Sequence, residues 1–253
     1  MNLHNYKDLY SSTLLNDVIP FWMKNSPETR PMKSFSLPMI LSNLVLEIEH
    51  LIDQELVDET INYCINEVMN VFYQDDSGLI LENVTSDGLF LDTFEGRLVM
   101  PGHSLESMWF LMDLAKRNGD TELIKKAVDI SINLLEYGWD KKYGGIFYMM
   151  DIKGYPPEKL EWDQKLWWVH QEAILAVLKG YELTEDKRCW EWFEKLHDYT
   201  WNRFPDKEYG EWFGYLNRQG EVLLPLKGGK WKGCFHVPRF LYQGWQTLDL
   251  ISS

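Results

Sequence analysis

Asp140-Lys-Lys-Tyr-Gly-Gly145, running into Ile146-Phe-Tyr-Met-Met150, is the stretch on which the fold turns. It has a counterpart upstream, Asp75-Asp-Ser-Gly78 before Leu79-Ile-Leu-Glu-Asn83. Another lies downstream, Asp206-Lys-Glu-Tyr-Gly-Glu211 before Trp212-Phe-Gly-Tyr-Leu216. An interval of about 65 residues marks a repeated supersecondary unit. Each Asp/Gly cluster reads as a turn, and each short run after it as a brief strand or hairpin arm in a loop.

Between these loops apolar residues recur with a spacing near 3.6, which predicts helices over about 5–24, 34–53, 55–73, 103–118, 122–138, 164–183, 186–203 and 235–250. In the fifth, Ile124, Ala127, Val128 and Leu135 gather on one face, interrupted only by the small Ser131. Asp120 and Thr121 supply its start signals and Gly138 its stop. About eight helices alternating with Gly-rich loops predict an all-α array of helix pairs, with no GxGxxG or P-loop pattern. No low-complexity linker divides the chain, so 1–253 reads as one domain.

Composition narrows the function. Formal net charge is -14, from 39 acidic and 25 basic residues, which argues against a nucleic-acid or anionic-membrane partner. Hydrophobic residues make up 45% of the chain, and it carries 12 Trp and 13 Tyr. Such rings fill cores first, but flat indoles also stack on sugars. Cys64, Cys189 and Cys234 are scattered and odd in number, suggesting neither a zinc site nor a disulfide framework. The amino terminus lacks a signal-peptide core, and no apolar run approaches the roughly 20 residues of a membrane helix. A reduced, cytoplasmic protein is the expectation.

Three segments carry groups suited to chemistry. His103, in Pro101-Gly-His103, opens a helix, and Glu106 and Trp109 follow at helical spacing on the same face. The helix dipole at an N-terminus disfavours a charged imidazole, so His103 is expected to be neutral. The plainer alternative is a turn cap with a dipole-matched glutamate. Trp168 and Glu172 lie four apart on a helix whose neighbours are apolar. Of the adjacent Trp167 and Trp168, one is expected in the core and the other could line a cavity. His236 stands at another helix mouth in Phe235-His-Val-Pro-Arg239, where a packed histidine is an equal reading and Arg239 could orient a hydroxyl or pair with an acid. His170 and His197 read as structural or exposed. Gly228-Gly-Lys-Trp-Lys-Gly233 reads as a turn, not a phosphate cradle.

At these residues the chain resembles the N-acylglucosamine 2-epimerase family. The strings that carry the likeness include Pro101-Gly-His103, Leu160-Glu-Trp162, Lys165-Leu-Trp-Trp168, Glu208-Tyr-Gly-Glu-Trp-Phe-Gly-Tyr215 and Trp231-Lys-Gly-Cys-Phe-His-Val-Pro-Arg239. The resemblance implies an (α/α)6 barrel with a sugar site at one mouth, here incomplete. It implies proton removal and return at C2 of an aldose such as N-acetylglucosamine, with His103 and His236 as acid and base. Glu172 would hold or polarise the substrate, Trp168 would stack on it, and Glu106, Trp109 and Arg239 would bind it. No metal or redox cofactor is implied; ATP as an effector and a homodimer are. Met100 and Ser107-Met108 depart from the family pattern. Near Pro27-Glu28-Thr29 a family segment of about four helices is expected to be missing, with an arginine that contacts substrate. Two other readings remain: a non-catalytic carbohydrate- or protein-binding relative, and a glycosidase recruiting Glu106, Glu172 or Glu211.

Overall fold

A two- or three-residue strand precedes three of the long helices, and each such strand is paired by a later connection. The computed structural model describes residues 31–253; the helix expected over 5–24 and the missing family segment near 27–30 fall outside them. Strand β1 (Met32–Ser34) leads into α1 (Ser36–Ile48), followed by α2 (Gln54–Asn66) and a π-turn over Glu67–Phe72. After β2 (Tyr73–Gln74), β3 (Leu79–Ile80), β4 (Asn83–Thr85) and β5 (Leu98–Val99) come α3 (Pro101–Asn118) and α4 (Thr121–Gly138). Then β6 (Met150–Asp151) and β7 (Lys165–Leu166) precede α5 (Trp167–Thr184) and α6 (Lys187–Arg203). Finally β8 (Tyr215–Leu216) and β9 (Val222–Leu224) precede α7 (His236–Ser252).

The antiparallel pairs β1–β4, β5–β6 and β7–β8 repeat one design, with β9 added to the last. The turns repeat as well. Leu81 N–H donates to Phe72 O, Phe147 to Gly138 and Phe213 to Phe204. Gly78, Gly144 and Gly210 all take positive φ, which their turns require and a side chain would resist. Asp140 and Asp206 each accept from two N–H groups further along their own turns. The first repeat is offset from the sequence expectation: Gln74, not Asp75, takes the place of these aspartates, and its carbonyl accepts from Gly78.

Helices begin and end where local chemistry says they should. Asp120 accepts from Leu123 N–H at 2.9 Å and starts α4, while Asp53 and Asp186 start α2 and α6 in the same way. Pro101 occupies the first turn of α3, and Gly119, at φ 71°, closes it with Lys116 and Arg117 in the last turn. The helix expected over 34–53 stops at Ile48, because Glu49–Leu51 tightens to a 3₁₀ turn and Asp53 starts a new helix.

Helices α1, α3, α5 and α7 pack in sequence as an inner row, and α2, α4 and α6 lie outside it. Burial follows this order: α3 and α5 are buried almost all round, whereas α6 buries only a stripe including Cys189, Leu196 and Tyr199. Among the described residues the outermost inner helices, α1 and α7, each carry an exposed apolar face. Leu37, Ile40 and Leu44 on α1, and Leu241, Trp245 and Leu248 on α7, are exposed. The glycine-rich loop is bent, irregular backbone held by ion pairs: Lys232 Nζ reaches Glu211 at 2.6 Å, and Lys227 Nζ just before it reaches Asp206 at 2.6 Å.

Candidate active site

The inner helices α3, α5 and α7 bring the expected groups together around Trp168. His103 lies 5.2 Å from the Trp168 ring centroid and His236 lies 5.6 Å from it, both tilted. The indole of α5 thus touches one imidazole from α3 and another from α7. Tyr148 meets the same indole edge-on at 6.2 Å. Close packing permits this arrangement: a Cβ on Gly102 would come within 2.6 Å of Trp168 and 2.8 Å of Val169.

Each imidazole is anchored through Nδ1. His236 Nδ1 lies 2.7 Å from Glu172 Oε1, and His103 Nδ1 lies 3.2 and 3.1 Å from the two Glu82 oxygens. Among the described residues neither Nε2 has a hydrogen-bond partner, and the two side chains keep 26% and 21% of their surface exposed for His103 and His236. Glu82 was not singled out from the sequence. It sits on the β3–β4 connection in an alternating run that reads as ordinary strand. Its backbone is fixed by Phe35 N–H donating to its carbonyl and by its own N–H donating to Leu98 O, both at 2.9 Å.

Behind His236 lies a dense polar cluster. Arg239 Nη2 donates to Glu172 Oε1 at 2.7 Å and also to Glu106. Trp109 Nε1 donates to Glu172 Oε2 at 2.8 Å. Burial alone would raise the Glu172 carboxyl, but its bonds to His236 and the adjacent Arg239 charge bring it below the usual range. Glu106 is pushed up, first by burial and then by the neighbouring Glu172 charge, despite Arg239. Two buried carboxylates beside one guanidinium thus favour ionisation of Glu172 over Glu106.

Glu172 is fully buried, with its oxygens engaged by His236, Arg239 and Trp109. Trp109, 1% exposed, stands behind Glu172. Glu106 is held against Arg239. Against the helix dipole expected to keep His103 neutral stands Glu82: burial disfavours the charge, but Glu82 holds the imidazole above its ordinary value. His170 is structural, as expected, with Nδ1 on Leu166 O at 2.7 Å and Nε2 accepting from Ile146 N–H at 2.9 Å. Exposed His197 stacks on Trp201. Trp167 and Trp168 are both buried in the core, and Trp167 packs against Tyr215 and Lys232.

One ligand atom each from Glu106, Glu172 and His236 falls within 4.8 Å of the others, a spacing that suits a cation. Arg239 already supplies positive charge to both of those carboxylates.

An inner row of helices backed by an outer one, with its polar groups gathered at the inner-helix N-termini, defines a protein of the (α/α)6-toroid class. Solved structures of that class overlay on it. A D-mannose isomerase matches with a TM-score of 0.70 at 18% identity, over 87% of this chain and 57% of that one. Cellobiose 2-epimerase from Bacillus thermoamylovorans matches with a TM-score of 0.67 at 21% identity, over 83% and 51%. The family model described as N-acylglucosamine 2-epimerase (GlcNAc 2-epimerase) matches residues 13–237. N-acylglucosamine 2-epimerase of Mus musculus is 42% identical over 248 residues, 93% of this chain and 59% of that protein. The Homo sapiens protein of the same description is 42% identical over 223 residues, 87% and 51%. The chain belongs to the N-acylglucosamine 2-epimerase family, and it spans a little over half the length of these relatives. Among the described residues no helix is long and apolar enough to cross a membrane.

Proposed function

We propose that the chain interconverts N-acetylglucosamine and N-acetylmannosamine, or a related aldose pair, by moving a proton off and back onto C2. The observation that carries this reading is the pair of imidazoles touching one indole, each anchored at Nδ1 with Nε2 unengaged. Inversion at carbon needs a base on one face and an acid on the other, and imidazole serves in either role near neutral pH. In the open-chain sugar one Nε2 takes the C2 proton. The electrons move onto the carbonyl oxygen as an enediolate, and the other imidazole returns a proton to the opposite face. Arg239 lies beside His236 and, through Glu172, helps to hold that imidazole in place. Trp168 is the wall against which the sugar chain rests.

Glycoside hydrolysis finds less support, because Glu106 and Glu172 are both held by Arg239 and Glu211 is bound to Lys232. The proton transfer drawn here uses no metal or redox cofactor. An ATP effector and a homodimer remain proposals by family resemblance. The second reading, a non-catalytic carbohydrate- or protein-binding relative, is favoured by one observation: among the described residues, α1 and α7 each carry an exposed apolar face. Deuterium incorporation at C2 of both sugars in heavy water, followed by NMR, separates the two. Exchange with interconversion is the expected result. Saturable sugar binding with no exchange would establish the non-catalytic reading.

A further inference from the structure

The two anchored histidines share a design but differ in how their carboxylates are used. Glu172 divides its charge among three donors: His236, the Arg239 guanidinium and the Trp109 indole. Glu82 gives both oxygens to His103 and makes no other side-chain hydrogen bond among the described residues. A buried carboxylate with a single partner needs that partner to carry its counter-charge, because an unpaired ion in such a place is costly. We propose that Glu82 is a positioning residue that keeps His103 protonated at rest, making it the loaded proton donor of the site.

The proposal rests on the proton-transfer reading given above and adds a direction to it. From the resting state, His236 removes the C2 proton and the His103 imidazolium delivers its own to the other face. The proton count balances: one proton leaves carbon for His236, one leaves His103 for carbon, and the sugar keeps its charge. The pair then holds the opposite loading, and a proton must pass back from His236 to His103, through solvent or through the reverse reaction, before the next turnover. The carboxylate also fixes orientation. With Nδ1–H held by Glu82, Nε2 is the nitrogen left without a partner among the described residues.

The surroundings of His103 support a cation. Glu106 on its own helix and Glu172 on α5 add attraction to that of Glu82, while burial opposes it. Arg239 on α7 is bound to those two carboxylates. Trp168 and Tyr148, the aromatic groups nearest to this arrangement, are uncharged, and burial raises the Tyr148 hydroxyl further from ionisation. The N-terminal position on α3 disfavours the charge. A charge-assisted bond to one carboxylate is the larger effect.

The test is ¹⁵N-histidine NMR titration of the full chain, with His103 assigned by comparison with His103→Gln. In the unsubstituted protein His103 is expected to titrate above the ordinary value for histidine, with its Nδ1 protonated throughout. In Glu82→Gln, which keeps an oxygen for Nδ1–H but removes the charge, the midpoint is expected to fall. In Glu82→Asp, which keeps the charge, it is expected to recover part of the way. Unchanged His170 signals report that the core around α5 is folded. A midpoint at or below the ordinary value in the unsubstituted protein overturns the proposal whatever the variants do. So does a folded Glu82→Gln protein whose His103 titrates as before. Where C2 exchange is measurable, Glu82→Gln is expected to slow it by at least tenfold and to move its pH profile with the His103 midpoint. Absence of exchange in the unsubstituted protein would count against the epimerase reading, while the titration would still decide the charge on His103.

Discussion

Helices α5 and α7 both supply residues to the site, yet they stand in opposite surroundings. Helix α5 packs against α3, α4, α6 and α7, and thirteen of its eighteen residues are buried. Helix α7 packs mainly against α5, buries Val237, Phe240, Gly244 and Thr247, and turns Leu241, Trp245 and Leu248 outward. Half of the site is therefore held by a close-packed wall, and the half bearing His236 and Arg239 by a helix packed on one flank. Glu172 is what joins them, because its Oε1 accepts from both residues of α7. Four tests probe this contrast.

The largest effect is expected on chemistry. His103→Ala and His236→Ala should each lower C2 proton exchange by about 10²–10⁴-fold, the usual worth of a positioned acid or base, with the circular dichroism spectrum retained. Full exchange in either would remove that helix from the site. Acid should next expose the wall. His170 on α5 is buried, and its folded value is depressed from 6.5 to about 3. Between those values the unfolded chain takes up a proton that the folded chain refuses. The stability associated with neutral His170 is thus complete above pH 6.5 and declines by up to about 1.4 kcal/mol per pH unit below it. Urea titrations from pH 7 to 4, repeated on His170→Gln, should show a shallower pH slope in the variant. An equal slope would mean the wall does not govern acid sensitivity.

Gly102→Ala comes third. The added methyl would meet Trp168 and Val169 within 2.8 Å, so an overpacking cost of about 1–3 kcal/mol is expected in chemical denaturation. A neutral result would show that the α3–α5 wall yields more than its burial implies. The smallest effect belongs to α7: Trp245→Ser on its outward face should change stability by no more than about 0.5 kcal/mol. In hydrogen exchange, α7 amides should open by local fluctuation while those of α5 wait for larger unfolding. A large loss in Trp245→Ser, or equal protection of the two helices, would show that the open flank is covered in solution.

How much was legible in the sequence follows the same division. Helix α4 was readable to its ends because Asp120, Gly138 and the Ile124–Leu135 face are local signals. The candidate residues on α3, α5 and α7 were named from helical spacing within each helix together with the family resemblance, and the fold brings them close to one another. Glu82 was not, since its importance comes from two long-range backbone bonds and a histidine on another element. The outward face of α7 was misleading in another way. Leu241, Trp245 and Leu248 have the periodicity of a core stripe, and periodicity cannot say whether the partner for a stripe is present. The π-turn at Glu67–Phe72 left no compositional mark either, and the sequence reads straight through it as helix.

The strand pairs set an order of events during synthesis. Leu98–Val99 at the head of α3 has its partner at Met150–Asp151, and Lys165–Leu166 at the head of α5 has its partner at Tyr215–Leu216. On the ribosome α1, α3 and α5 each emerge before the strand that fixes their starts. At about 5–20 residues per second, the delay is roughly 3–10 seconds per unit. The nascent chain therefore acquires its native helix positions one repeat behind the exit tunnel, and His103 is set in place only while the next histidine-bearing unit is being made.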